Sequence, residues 1–398
     1  MLAGAATMLS IAIGLRQSIG LFQTPVVQDL GIAAADFALA IAVQNIMWGV
    51  SQPFAGAFVD RFGPRWIGLA GAVLYIGGLI LTASATTPAM ITLGAGVMVG
   101  LALSCTTSGV AANVAARIVQ PNRRSLAFGM LASAGSMGTF FCAPLGQLVI
   151  DHGGWRLGLF AFVAVGFLMI PAALIGGRAE KLPNRTTRDA NMTLGKALGE
   201  ARSHGGYVVM SLAFFVCGLQ LVFLTTHLPS YLALCGMDPI LGAQALATIG
   251  FFNCIGSWGL GWLGDHVRKR TLLGCVYIVR SLAIAVYFVS PVTPTSTLVF
   301  AAVMGLTWLG VVPLVNGIVV EIFGLRFLST LTGIAFFSHQ VGSFLGAWGG
   351  GAIYDALGSY DRALQFGVVV GVIAGISQMM MDDTPTERVS GAAPQPAE

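Results

Sequence analysis

The chain is 398 residues long, 56% hydrophobic and only 9% charged, with a formal net charge of +4 and a mean hydropathy of +0.83. Soluble domains carry about 25% charged residues, so water is not the main solvent of this chain and nucleic acid is not its partner. None of the six cysteines forms a C-x-x-C pair, which excludes a zinc site and a disulfide framework and leaves them as small buried hydrophobes.

Apolar segments long enough to cross about 30 Å of hydrocarbon fall at 4–27, 37–58, 67–85, 89–117, 125–150 and 157–176. The first begins without the basic stretch of a signal peptide and runs on past any cleavage site. It carries Arg16 and Gln17 in an otherwise apolar run. Arg16 stands about twelve residues in, roughly 18 Å of helical rise, too deep for its head group to snorkel to an interface. The fourth segment holds Thr106 and Thr107, and the second holds Gln44 and Asn45.

A polar stretch follows and reads as a cytoplasmic linker, residues 178–205. Six more segments lie at 206–233, 241–263, 271–290, 296–320, 328–354 and 363–381, before a Pro/Ala-rich tail, 383–398, read as disordered. Polar residues within them are Gln220 and His227, Asn253, Arg280, Trp308 and Asn316, then His339 and Gln340. The expected fold is an all-α membrane protein of twelve transmembrane helices in two six-helix halves, residues 1–177 and 206–382. The 53 glycines suit it, because small residues let helices approach closely where hydrophobicity no longer drives association.

With both termini placed in the cytoplasm, the inner segments hold sixteen of the twenty lysines and arginines, and the outer ones only Arg156 and Arg362. Arg16 and Arg280 are the two left inside spans. The halves also repeat: Gly56-Ala-Phe-Val-Asp60 matches Gly261-Trp-Leu-Gly-Asp265 at an offset of 205, and Gly129 matches Gly333, and Asp151 matches Asp355, at 204. Such repeats put a binding site at mid-membrane between the halves.

The loop after the second span, GAFVDRFGPR (Gly56 to Arg65), resembles the G-x-x-x-D-R-x-G-x-R signature of the major facilitator superfamily, and GWLGDHVRKR after the eighth resembles its degenerate copy. The resemblance implies a gating role for Gly56, Asp60, Arg61, Gly63 and Arg65, and for Asp265, Arg268 and Arg270. Asp60 would cap a neighbouring helix and pair with basic residues across the half interface. Within the superfamily the chain is most similar to the monocarboxylate transporter group, including its bacterial members. The segments that carry the similarity are RQSIGLF from Arg16, RRSLAFGMLASAGSMG from Arg123, and LSTLTGI with GGGAIYDALGSYD between Leu328 and Asp361. Where animal members have a first-span lysine this chain has Gln17, and their eighth-span Asp and Arg fall at Asn253 and Ser257.

All sixteen acidic residues fall in loops, tails or span ends, so the two deep charges are both positive and favour an anionic solute. A guanidinium matches a carboxylate with paired donors. The substrate-binding set is therefore read as Arg16, Gln17, Gln44, Asn45, Thr106, Gln220, Asn253, Arg280, Trp308, Asn316, His339 and Gln340. His339, whose imidazole can change charge near neutral pH, is the candidate for proton coupling.

These features point to a secondary transporter that moves a small organic anion, foremost a monocarboxylate, by proton-coupled alternating access. The alternative is an exporter or exchanger of larger amphipathic, drug-like compounds. No H-E-x-x-H motif and no G-x-S-x-G beside a base is present, so an enzyme is not expected, nor a cofactor or metal. The expected setting is a monomer in a bacterial inner (plasma) membrane, with the substrate, a proton and lipid as its partners.

Overall fold

A bilayer offers backbone amides no water, so each spanning segment must satisfy its own hydrogen bonds, which a helix does within one segment. The structure, a computed structural model, describes residues 1–182 and 192–390, and helices dominate both stretches. The runs Leu2–Leu30, Pro64–Ala83 and Pro88–Ile118 are long and apolar enough to span as the first, third and fourth helices. Pro121–Lys181 holds the fifth and sixth, which turn at Gly154 (φ 78°). The seventh to tenth are Gly205–Leu234, Pro239–His266, Lys269–Val289 and Pro294–Phe323, and the twelfth is Asp361–Met380. Two more helices of spanning length, Ala34–Phe62 and Leu328–Leu357, fill the second and eleventh places.

The repeat read from sequence is also written in the backbone. Positive-φ glycines end the first and seventh spans (Gly31, 61°; Gly236, 71°) at an offset of 205. They turn the fifth into the sixth and the eleventh into the twelfth (Gly154, 78°; Gly358, 67°) at an offset of 204. A side chain at these turns would be strained, so glycine is required twice over.

Two spans expected to be continuous are broken. In the fourth, the helix stops at Thr106, Thr107 takes φ −104° and ψ −148°, and a new helix runs Ser108–Ile118. In the tenth, the helix Pro294–Leu306 ends at Thr307 and restarts at Val311. Neither break contains a proline. Broken helices in matching places of the two repeats are where transporters of this build expose backbone polar groups.

The helices pack as two units, residues 1–120 with 133–185 and residues 121–132 with 186–398. In the first unit, Gly138 lies against the Ser10 carbonyl and Gly14, so the first and fifth spans meet backbone to backbone. In the second unit, Gly218, Gly342 and Gly346 do the same for the seventh and eleventh, against His339, Phe215 and Leu219. The segment 121–132, expected with the amino-terminal half, joins the second unit for a physical reason. Gly129 faces Gly261, where a Cβ on Gly129 would lie 3.0 Å from the Gly261 Cα.

Of the expected linker 178–205, residues 183–191 lie outside the described residues, and Leu194–Ser203 forms a helix capped by Thr193. Of the expected tail, 391–398 lie outside them too. Residues 383–390, expected to be disordered, dock instead. Thr386 donates its amide (3.0 Å) and hydroxyl (3.1 Å) to the Ile322 carbonyl, and Arg388 donates to the Phe323 carbonyl (2.9 Å) and to Glu200 (3.4 Å). These bonds cap the open carbonyls at the end of the tenth span.

Candidate functional site

A guanidinium at mid-depth costs roughly 2.5–3.5 kcal/mol on insertion scales, so its partners decide its role. Arg16 sits near the end of the helix Leu2–Ser18, just before the first span tightens at Ile19–Phe22. Its Nη2 donates to Asn45 Oδ1 at 2.5 Å, and its guanidinium carbon lies 4.9 Å from the centre of the Trp48 ring. Its Nε is buried without a partner, and no Asp or Glu pairs with it among the described residues. Asn45 is held in turn by its own amide, which donates to the Ile41 carbonyl at 3.0 Å. The result is a fixed cation with one neutral acceptor, an aromatic face and donors to spare.

The other expected site residues of this unit divide. Gln17 is exposed. Gln44 is buried and donates to the Ala95 carbonyl (2.7 Å), joining the second span to the fourth. Thr106 and Thr107 turn their hydroxyls back onto the Ala102 (2.8 Å) and Leu103 (2.6 Å) carbonyls at the helix break. Of this set only Asn45 is bonded to Arg16. Sequence reading missed Trp48 and Gln52, whose signal was a step of three residues from Asn45 to Trp48 and of four from Trp48 to Gln52 along one helix face. Trp48 Nε1 donates to Gln52 Oε1 at 2.9 Å, and Gln52 Nε2 reaches the Ser104 carbonyl at 3.5 Å.

In the second unit, Arg280 was expected to face substrate. It is instead fully buried, 0% exposed, and donates to the Thr307 and Trp308 carbonyls at the break of the tenth span and to Cys217 Sγ (3.2 Å). Asn253 holds the same break from the eighth span, where its Oδ1 accepts the Leu309 amide (2.9 Å) and the Ser257 hydroxyl (3.2 Å). Trp308 is half-buried at that break, and Asn316 is buried with its Oδ1 unpartnered among the described residues. Gln220 donates to Ser281 Oγ (3.1 Å) and the Gly367 carbonyl (2.9 Å), tying the seventh span to the ninth and twelfth. His227 bonds the Ala347 carbonyl (2.9 Å). His339 stacks on Phe336 (8° between planes) and lies within 3.2 Å of Gln340 Oε1 and 3.4 Å of the Ser343 hydroxyl.

The signature loops behave differently from one another. Gly56 is buried, Arg61 is exposed over Phe62, and Asp60 accepts from Asn113 (3.1 Å), whose Oδ1 accepts from Arg117 (2.8 Å). Gly63, at φ 86°, leaves room for Glu180, since a Cβ there would lie 2.9 Å from its Oε2; Glu180 pairs with Arg65 at 3.9 Å. In the second copy, both oxygens of Asp265 accept backbone amides, Ser125 and Leu126, at 2.9 Å each. A carboxylate on the first free amides of a helix is favoured by hydrogen bonding and by the helix dipole. Asp265 thus carries out a helix-capping role of the kind that the resemblance gives to Asp60. Arg268 is exposed, while Arg270 pairs with Asp383 (3.2 Å) and donates to the Met381 carbonyl (2.7 Å). Next to it, Lys269 pairs with Glu321 at 2.7 Å.

Comparison with known proteins agrees with this architecture. The family model described as Major Facilitator Superfamily matches residues 1–347. An MFS-type transporter of Bacillus subtilis (strain 168), YcxA, is 23% identical over 87% of this chain and 85% of its own. Monocarboxylate transporter 13 of Bos taurus is 24% identical over 89% of this chain and 82% of its own. Among solved structures, the E. coli fucose:proton symporter FucP superposes with a TM-score of 0.75 at 13% identity, covering 97% of this chain and 98% of that one.

Proposed function

Because the chain belongs to the Major Facilitator Superfamily, we propose that this integral membrane transporter carries a small organic anion, a monocarboxylate first of all, by alternating access together with a proton. The observation that carries the proposal is Arg16, a half-buried cation whose one hydrogen-bond partner among the described residues is a neutral amide. A carboxylate arriving there would find unused guanidinium donors in a water-poor setting, where a charge-assisted bond is about twice as strong as a neutral one. Trp48 beneath the guanidinium would hold its plane while the ligand binds. Relatives called monocarboxylate transporters favour the same chemistry.

His339 is proposed as the proton carrier because it is the histidine set among Gln340 and Ser343 partway along the eleventh span. The lysine and arginine distribution supports cytoplasmic termini. The test is calorimetric titration of the purified protein with propionate, then of Arg16→Gln. Binding to the wild type and a loss of about tenfold or more in the variant would support the reading, in line with one charge-assisted bond. Equal affinity in both would remove Arg16 from the site.

A further inference from the structure

The contacts around Arg16 do not end at the cation. Asn45, Trp48 and Gln52 lie on one face of the second span, spaced three and four residues apart. Trp48 meets the guanidinium with its ring and passes its indole N–H to Gln52 Oε1 at 2.9 Å. Gln52 then directs its Nε2 toward the Ser104 carbonyl, 3.5 Å away on the fourth span. That carbonyl is the one a continuous helix would pair with the Ser108 amide. The reversal at Thr107 (φ −104°, ψ −148°) takes Ser108 out of helical register. Gln52 therefore supplies from a neighbouring helix the donor that the break removed. Its amide fills the notch beside Gly109, where a Cβ would lie 2.8 Å from Nε2.

We propose that Trp48 and Gln52 are positioning residues that transmit the occupancy of Arg16 to the break in the fourth span, and so set the rate of conformational exchange more than ligand affinity. The proposal rests on the carboxylate reading of Arg16. Both contacts of Gln52 belong to one planar amide, so the indole cannot shift without re-aiming Nε2–H. An anion that engages the guanidinium weakens its hold on Asn45 and on the Trp48 ring. The freed indole then carries the amide with it, and the Ser104 carbonyl loses or changes its donor. Helix ends at such a break change direction with small changes in backbone bonding, and the fourth span can thereby respond to a ligand it does not touch.

The test separates affinity from rate. Gln52→Met keeps the bulk and removes the amide; Trp48→Phe keeps a ring under the guanidinium and removes the N–H, and serves if the first variant does not fold. Propionate affinity is measured by calorimetry, and exchange as counterflow of labelled propionate in proteoliposomes. Alkylation of Cys105, which borders the break, is followed by peptide mass spectrometry with and without propionate. The expected result is a Kd within about threefold of wild type, exchange slowed about tenfold or more, and loss of the propionate-dependent change in Cys105 alkylation. Exchange at the wild-type rate, or affinity and rate falling in proportion, would overturn the relay. If the wild type itself binds no propionate, the carboxylate reading fails separately. The relay of occupancy falls with it, while the contact of Gln52 with the break is still judged on ligand-free Cys105 alkylation, an unchanged rate in Gln52→Met overturning that contact and an altered rate upholding it.

Discussion

Replacing Asp265 with asparagine tests the asymmetry between the two signature loops. The carboxylate accepts the Ser125 and Leu126 amides at 2.9 Å each, and a neutral side-chain amide can offer one oxygen only. Hydrogen bonds to a charged group contribute about 1.5–3 kcal/mol against 0.5–1.5 for a neutral pair, so the two bonds together lose about 2 kcal/mol. Partial solvent exposure of the carboxylate reduces this, since screening weakens exposed charges. About 1.4 kcal/mol remains, a tenfold change in the population in which residues 121–132 are undocked. Ser125, 1% exposed, is the reporter. In a Ser125→Cys background, maleimide labelling of the introduced thiol tracks the undocked fraction and should accelerate about tenfold on adding Asp265→Asn. Asp60→Asn in the same background should leave the rate unchanged, because Asp60 bonds Asn113 in the other unit. Labelling within about twofold of the parent for Asp265→Asn, or an equal acceleration from Asp60→Asn, would refute the capping assignment.

Arg280→Met should lower thermal stability in detergent, because the Thr307 and Trp308 carbonyls lose their donor at about 1–3 kcal/mol each, partly offset by removing a buried charge. Propionate affinity should stay near wild type, and a large affinity loss at unchanged stability would return Arg280 to the substrate site. Gly138→Ala should destabilise by about 3 kcal/mol, since the new methyl would overlap the Ser10 carbonyl. Gly250→Ala, with open space around its Cβ, should be neutral or gain about 0.5–1 kcal/mol, and denaturant titration distinguishes the two. His339→Gln should flatten the pH profile of propionate uptake; an unchanged profile would remove it as the proton carrier.

Much of this was legible before any coordinates. Hydrophobic length and the offset of 204–205 are properties of the chain itself, and they reappear as helices and paired glycine turns. Arg16 was legible because an unsnorkelled charge is conspicuous in an apolar run. What a polar residue inside a span touches was not, since a helix presents side chains all round and only neighbouring helices decide their partners. Gln44, Gln220 and Asn253 thus became ties between helices, while Trp48 and Gln52 entered the site unannounced. The breaks at Thr107 and Thr307 carry no proline to mark them; they become visible only with the side chains that satisfy the released carbonyls. That Asp265 caps the helix beginning at Arg124 also depended on what lies opposite, a fact no local motif encodes.

The docking of residues 384–388 has a bearing on biogenesis. The tenth span leaves its terminal carbonyls, Ile322 and Phe323, to be met by Thr386 and Arg388, some sixty residues farther on. Those groups are synthesised only after the twelfth span, so during insertion the tenth helix must wait with a frayed tip. The broken span that Arg280 and Asn253 brace is therefore finished late, and a protease that nicks the chain near Thr384 would fray the end of a helix rather than trim a loose thread.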